Sequence, residues 1–213
     1  VSDPNPHTLR NQKLGATVTA ALRARHFEAH YAATAKEAGA LALSLIPEND
    51  VVGWGGSFSI QESGLLEQVK KTHKVLDRDT AKTPEERWEI MRQILTCDTF
   101  ITGTNALAES GELVNIDGNG NRVAAMQFGP HRVIVLAGSN KIVKTLDDAI
   151  SRTRNTAAPI NVQRFNMDTP CSKTGICQDC KNKESICACL SIIRLCRPAG
   201  RIKVIICGES LGF

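Results

Sequence analysis

The sequence predicts an α/β fold, a mainly parallel sheet flanked by helices with one antiparallel hairpin. Three observations carry this. Short apolar runs such as DVVGW, TFITG, HRVIVLAG and RIKVIICG alternate along the chain with stretches of helical period. Several helical stretches open on capping signals. Two strand-like runs, GELVNID and RVAAMQFG, flank Gly-Asn-Gly-Asn, a strong hairpin turn.

Taken in order, the first twenty-five residues space Leu9, Leu14, Val18, Ala21 and Leu22 near a helical period. His26–Tyr31 alternates polar and apolar residues as a short strand does. Thr34 and Glu37 form a capping box for a helix that runs through AGALALSLI to Pro47. A strand, DVVGW, then meets glycines and a second box, Ser59 with Glu62. VLDRD reads as a strand end. Thr83 and Glu86 make a third box with Pro84 at the first helical position, where its missing N–H does no harm. Trp88, Met91 and Leu95 give that helix its apolar face. TFITG continues into a loop, TNALAESG, followed by the expected hairpin, the buried strand HRVIVLAG, a helix over LDDAISRTRNT and a closing strand RIKVIICGE. The expectation is one domain over 1–213, with a cysteine-rich insertion at about 168–198 before the last strand.

Composition is that of an ordinary globular protein, 42% hydrophobic and 23% charged. No apolar run is long enough to span a bilayer, and VSDPNPHTLRNQK lacks the apolar segment of a secretory signal. A cytoplasmic location follows as an expectation, with thiols kept reduced. Net charge is +4. From Cys171 to Lys203, seven basic residues (Lys173, Lys181, Lys183, Arg194, Arg197, Arg201, Lys203) stand against Asp179 and Glu184, which raises a nucleic-acid reading.

Three stretches could carry chemistry. The first is Gly53-Trp-Gly55-Gly56-Ser57-Phe-Ser59. A strand running into glycines and a capped helix offers free N–H groups and a positive dipole end to an anion, with Ser57 and Ser59 as added donors. It is neither a dinucleotide fingerprint, since Phe58 stands where the third glycine belongs, nor a phosphate-binding P-loop, since no Gly-Lys-Ser/Thr follows. No NAD site is expected. The second is Thr102 to Glu112, in which Asn105, Gly111 and Glu112 could bind ligand and Glu109, next to a small residue and near a glycine, could act as base or nucleophile. The five histidines show no ligand spacing, and Asp147 and Asp148 read as first-turn helix charges.

The third is CSKTGICQDCKNKESICAC, five of the eight cysteines in nineteen positions. Its Cys-x-x-Cys core lets two thiolates converge on one metal, and flanking cysteines complete a tetrahedral set of Cys171, Cys177, Cys180 and Cys187, with Cys189 as the competing fourth ligand. Soft thiolates select zinc or an iron–sulfur cluster, and spacing does not separate those two. Cys97 and Cys207 fall in core patterns. No aromatic residue lies between Cys171 and Cys196 to stack on bases, so nucleic acid is the weaker partner.

DVVGWGGSFSIQESGLLE, the long TFITGTNALAESGELVN…PHRVIVLAGSNKIV block and the closing RIKVIICGESLGF resemble the LUD (lactate-utilisation) domain family from about Ala35 to Phe213. The cysteine segment is similar to that of a branch of short stand-alone members. The resemblance implies the superfamily fold of ribose-5-phosphate isomerase, glucosamine-6-phosphate deaminase and CoA transferases, with a glycine-rich loop holding a phosphate or CoA group. It also implies a link to L-lactate oxidation with iron–sulfur partner proteins. Glu109-Ser110-Gly111 resembles the stretch that holds the CoA-transferase nucleophile. The leading expectation is a small anionic metabolite bound between Gly53–Ser59 and Asn105–Glu112, beside a Cys₄ metal centre, in lactate or related 2-hydroxy-acid utilisation. A sugar-phosphate isomerase or acyl/CoA transferase using Glu109 is the alternative, and a zinc-stabilised nucleic-acid or protein-binding module the second. A homo-oligomer is compatible with any of these.

Overall fold

The computed structural model describes residues 5–213. Its elements run α1 (Pro6–Ala24), β1 (Glu28–Ala32), α2 (Ala35–Ser44), β2 (Val51–Trp54), α3 (Phe58–Glu62), α4 (Leu65–Thr72), β3 (Lys74–Leu76), α5 (Pro84–Ile94), β4 (Thr99–Gly103) and β5 (Ala106–Ala108). They continue with β6 (Leu113–Asp117), α6 (Asn121–Gln127), β7 (Arg132–Gly138), β8 (Ile142–Val143), α7 (Leu146–Arg152), α8 (Ala158–Val162), α9 (Pro170–Thr174), β9 (Cys189–Ile193) and β10 (Ile202–Cys207). The first four residues of the expected N-terminal helix lie outside the described residues. Among the described residues no helix is long and apolar enough to cross a membrane.

Six strands form one all-parallel sheet in the order β1-β10-β7-β4-β2-β3. Its four inner strands are largely apolar on both faces, as a covered parallel sheet requires. In β7, Val133, Val135 and Ala137 point to one core and Ile134 and Leu136 to the other. The first core is capped by α1, α5, α6 and a second sheet, the other by α2, α3 and α4. The second sheet, β8-β5-β6-β9, is mixed: β5 and β9 run antiparallel to β6, and β8 runs parallel to β5.

Three local expectations change. The hairpin across GNGN does not form: RVAAMQ is helix α6, and the antiparallel hairpin lies one step earlier, between β5 and β6. Gly120 does turn the chain, at φ 79, but Asp117 Oδ2 then accepts the N–H groups of Arg122 and Val123 and starts a helix. Val123, Ala125 and Met126 are buried from that helix. Ser59 and Glu62 are not a capping box, because α3 starts at Phe58 and Ser59 is fully buried. Trp88 is 46% exposed, and Met91 with Ile94 carries the inner face of α5. The box at Thr34 and Glu37 forms in full, whereas at Thr83 only the Glu86 N–H is capped.

A β-carbon on Gly39 in α2 would sit 2.2 Å from the Ser63 carbonyl oxygen, where α2 packs on the α3–α4 junction. Helix propensity alone favours Gly39→Ala by about 1 kcal/mol. The clash is with backbone, which moves only with its helix, so it outweighs that gain. Gly39→Ala should therefore lower stability by about 1–3 kcal/mol in urea unfolding, and a rise in midpoint would contradict the close approach.

Candidate functional site

The chain passes from β2 outward to β3 at the sheet edge, then returns to place β4 on the other side of β2. The direction of winding reverses there, and the loops after β2 and β4 separate to leave a crevice at the strand C-termini. A cleft of about 620 Å³ opens at this point. Gly55, Gly56 and Ser57 line it after β2, Gly103 to Asn105 after β4, and Asp117 to Arg122 after β6. Lys141 enters from the turn after β7, Arg164 and Phe165 from the end of α8, and Lys183 to Ile186 from the cysteine segment.

Six cationic residues line the cleft (Arg78, Arg87, Arg122, Lys141, Arg164 and Lys183) against three acidic ones, Asp79, Asp117 and Glu184. The glycines make room for two of the cations. A β-carbon on Gly55 would lie 2.8 Å from Arg122 Cδ, and one on Gly56 2.8 Å from Arg78 Nη2. Arg122 is tied down: it donates to Asn115 Oδ1 at 2.6 Å, Asn105 Oδ1 at 2.9 Å and the Ile116 carbonyl at 2.6 Å. Arg78 is less well served. Its Nε is buried without a hydrogen-bond acceptor, and the nearest carboxylate, on Asp79, is 4.0 Å away. Arg164 lies 4.4 Å from the Phe58 ring centroid.

Burial holds Arg78 and Arg122 below the usual guanidinium range; Arg87 and Arg164 lower Arg78 further and Arg78 lowers Arg122, while Asp79 opposes this for Arg78 and Asp117 for both. Arg164 is likewise lowered by burial. Lys141 is the extreme case, 4% exposed. Burial, then the Arg152 and Arg122 charges, push it down to about 7, with Glu62 opposing. Its Nζ donates to Ser59 Oγ at 2.8 Å, and Ser59 in turn donates to the Leu211 carbonyl at 3.2 Å.

The sequence-predicted site divides. Gly55, Gly56, Ser57 and Asn105 line the cleft. Gly53 is inside β2, where a β-carbon would strike Ile94 at 2.9 Å, and Ser59 holds Lys141 instead of facing a ligand. Glu109, Gly111 and Glu112 do not line the cleft. They form the β5–β6 turn, which packs on α1: Gly111, at φ 96, approaches the Ala21 backbone within 3.1 Å of a β-carbon. Glu112 is buried against Arg25 and accepts from Ser110, and Glu109 pairs with Lys144 at 2.6 Å. The expected placement of Glu109 beside the glycine loop is thus corrected. The helix after that loop, α3, has five residues, so side-chain cations rather than a helix dipole make the cleft positive.

The sequence model of the LUD domain family matches residues 16–207. The chain belongs to the LUD domain family. A DUF162 family protein from Deinococcus radiodurans superposes with a TM-score of 0.51 at 14% identity, covering 92% of this chain and 98% of that one. Ribose-5-phosphate isomerase A from Methanocaldococcus jannaschii gives a TM-score of 0.35 at 18% identity over 53% of this chain and 55% of that one. No curated protein matches the chain.

In this LUD domain Cys171, Cys177, Cys180 and Cys187 line one small cavity of about 80 Å³, partly walled by Ile116, Ala158 and Val162. Burial and then the neighbouring Cys171, Cys177 and Cys180 push the Cys187 thiol up to about 11. Among the described residues no three His, Cys, Asp or Glu side chains are drawn together at metal-holding separation. Cys189 sits in β9 facing Gly120, outside the cavity, and Cys97, Cys196 and Cys207 are buried. The basic tail is partly consumed by the fold. Arg201 donates to the Ala125, Met126 and Pro130 carbonyls, Lys203 pairs with Glu28, and Lys173 with Asp168.

Arg78, Arg122, Lys141 and Arg164 were not candidates from sequence. One signal was available for Lys141, a lysine three residues beyond a wholly apolar strand and just before another apolar pair, Ile142-Val143. The others lie in stretches whose secondary structure had to be known first.

Lowering of Lys141 has a thermodynamic consequence. Between about 7 and its ordinary 10.5, the unfolded chain binds a proton there that the folded chain does not. Folding stability therefore rises with pH across that window on account of this residue, by at most about 1.4 kcal/mol per pH unit. Relative to Lys141→Met, which has no such proton, the wild type should gain stability in urea unfolding as pH climbs from 7 to 10. A difference constant with pH would show that Lys141 is not depressed.

Proposed function

We propose that the cleft binds a small anionic metabolite of the 2-hydroxy-acid class and exchanges a proton with it through Lys141, in a lactate-utilisation role. The observation that supports this most directly is Arg78, a cation whose buried Nε lacks an acceptor, facing a cleft where cations outnumber carboxylates. Leaving a buried donor unmade costs about 1–3 kcal/mol, so an anion that accepts from it is drawn in by relief of that cost. Arg78 and Arg164 take the carboxylate oxygens. Arg122, already tied to Asn105, Asn115 and Ile116, contributes chiefly its field.

Lys141, with a pKa near 7, is suited to proton transfer at neutral pH, because both of its protonation states are then populated. Placed beside a substrate hydroxyl, the neutral amine of Lys141 accepts its proton, and Ser59 Oγ accepts a hydrogen bond from the ammonium that results. Oxidation to the 2-oxo acid removes two electrons and two protons: Lys141 takes the hydroxyl proton, and the α-hydrogen leaves with both electrons as hydride to a two-electron acceptor on a partner protein, which passes them on singly to iron–sulfur centres, in keeping with the family's link to lactate utilisation. A phosphate would satisfy the same arginines, so a phosphorylated sugar is the competing ligand.

Calorimetric titration with L-lactate, pyruvate, inorganic phosphate and ribose 5-phosphate at pH 6.5 and 8 separates these. A 2-hydroxy or 2-oxo acid is expected to bind, with affinity reduced roughly 10- to 100-fold in Arg78→Ala, the loss of one charge-assisted hydrogen bond. Binding of phosphates alone would replace the 2-hydroxy acid with a phosphorylated ligand. Failure of all four to bind would overturn the anion reading.

A further inference from the structure

The chain from Cys171 to Leu190 contains no buried residue. Its regular structure before β9 is the short α9, and the rest is irregular. Few side chains of this strap hook it to the body. Asn182 Nδ2 donates to the Asp168 carbonyl at 2.7 Å, Glu184 accepts from the Asp168 N–H at 2.6 Å, and Asp179 pairs with Arg154. Exposed polar contacts of this kind contribute little. A twenty-residue strap with no buried residue, whose apolar contact with the floor is the half-buried Ile186, would need another source of order, and what it carries toward the body is thiols.

The strap also has two faces with two cavities. Ile116, Ser185 and Ile186 line both the thiol cavity and the cationic cleft. Ile186 is pressed onto the floor between them, its Cα 3.2 Å from where a β-carbon on Gly118 would stand. The next residue is Cys187, and the three before it, Lys183 to Ser185, are cleft wall. A turn at Asp179, with φ 50, brings Cys177 and Cys180 back to the same cavity.

We propose that Cys171, Cys177, Cys180 and Cys187 form a thiolate-bound metal centre, of zinc or iron–sulfur class, and that its loading sets the position of the Lys183–Ile186 wall of the anion cleft. Four thiols line the walls of one small cavity without being drawn to ligating separation, and they are the donor set that soft metals select and would pull together. Each cysteine that ligates releases its proton to solvent, and the metal charge offsets the thiolates. No electron is transferred when zinc binds; a cluster takes its iron and sulfide from solution. The ion supplies the closing force on the strap that packing does not, and Cys187 transmits it to Ile186 and the wall. Cys189, on β9 and facing Gly120, is not a ligand. The dependence of the cleft on the metal rests on the anion reading above; the metal centre itself does not.

Metal analysis and absorption on anaerobically purified protein test the centre. About one zinc per chain in colourless protein, or iron with sulfide in brown protein, supports it and tells the two classes apart. Protein that is metal-free and takes up neither added zinc nor cobalt, monitored by the thiolate-to-cobalt band, overturns it. Cys180→Ser should lose the metal and Cys189→Ser retain it; the reverse would overturn the ligand set. Should Cys180→Ser fail to fold, chelation of the wild type stands in its place. On stripping, hydrogen exchange should quicken across 171–190 while the parallel sheet stays protected. The affinity of the bound anion, L-lactate or inorganic phosphate, should fall at least tenfold and return with zinc. An affinity unaffected by stripping overturns the coupling and leaves the centre standing. If neither loaded nor stripped protein binds any anion, the cleft reading fails while the metal analysis still decides the centre.

Discussion

Because β3 is added outside β2 and β4 inside it, the loops that leave those two strands must diverge, and the whole cleft follows from that divergence. A parallel sheet wound in one direction would have closed helix against helix over its C-terminal edge. Here the edge is open between Gly55 and Gly103, and side chains from the turn before α5, from α6, from the turn after β7 and from α8 all converge on it. The cleft is therefore a product of strand order, and the residues that fill it come from parts of the chain far apart in sequence.

What fills it is costly. Isolated buried charges carry a desolvation penalty of several kcal/mol even after relaxation. This protein meets that penalty in two ways. Arg122 is held by oxygens of Asn105, Asn115 and Ile116, so the protein solvates its charge in good part. Lys141 escapes in part by sitting near its titration point, with Ser59 accepting from it. Arg78 has neither remedy, since its best acid, Asp79, is more than half exposed and beyond hydrogen-bond range. Glycine at positions 55 and 56 allows the cations to crowd in without giving them partners. Local arrangements that cost stability are common at binding sites, and this one is the basis of the anion site proposed above.

The layered architecture was legible because parallel strands buried on both faces read as continuous apolar runs, and HRVIVLAG and RIKVIICG leave little else open. The stretch RVAAMQFG shows where such reading stops. Its apolar positions fit strand alternation, yet Asp117 reaches forward to cap the N–H groups of Arg122 and Val123, and that bond selects helix. The second sheet was hidden for a different reason. β6 finds β9 some seventy residues later, a pairing no local pattern encodes. The glycine loop was found since its signal is local. Arg78, Lys141 and Arg164 were missed since a charge gains meaning only from what surrounds it in three dimensions. Glu109 erred in the opposite direction: a glutamate near a glycine suits catalysis by pattern, but Gly111 serves the turn against α1 and Glu109 meets Lys144.

The cysteine segment joins these strands of argument. Its spacing made four thiols candidates to converge, and in three dimensions Cys171, Cys177, Cys180 and Cys187 share a cavity while Cys189 is turned away by the pleat of β9. Sequence had no means of knowing that the same strap would also wall the cleft. That follows from β9 pairing with β6, whose C-terminal residues Ile116 and Asp117 form the ridge between the two cavities. Ile116 touches both sides of the ridge, and Asp117 holds the helix from which Arg122 enters the cleft. In the coupling proposed above, a shift of the strap at Cys187 reaches Ile186 within one residue, beside the floor that carries the cations. The order of the strap and the shape of the cleft are therefore one mechanical problem, and the proposed thiolate centre is a way to solve it in a strap without buried residues.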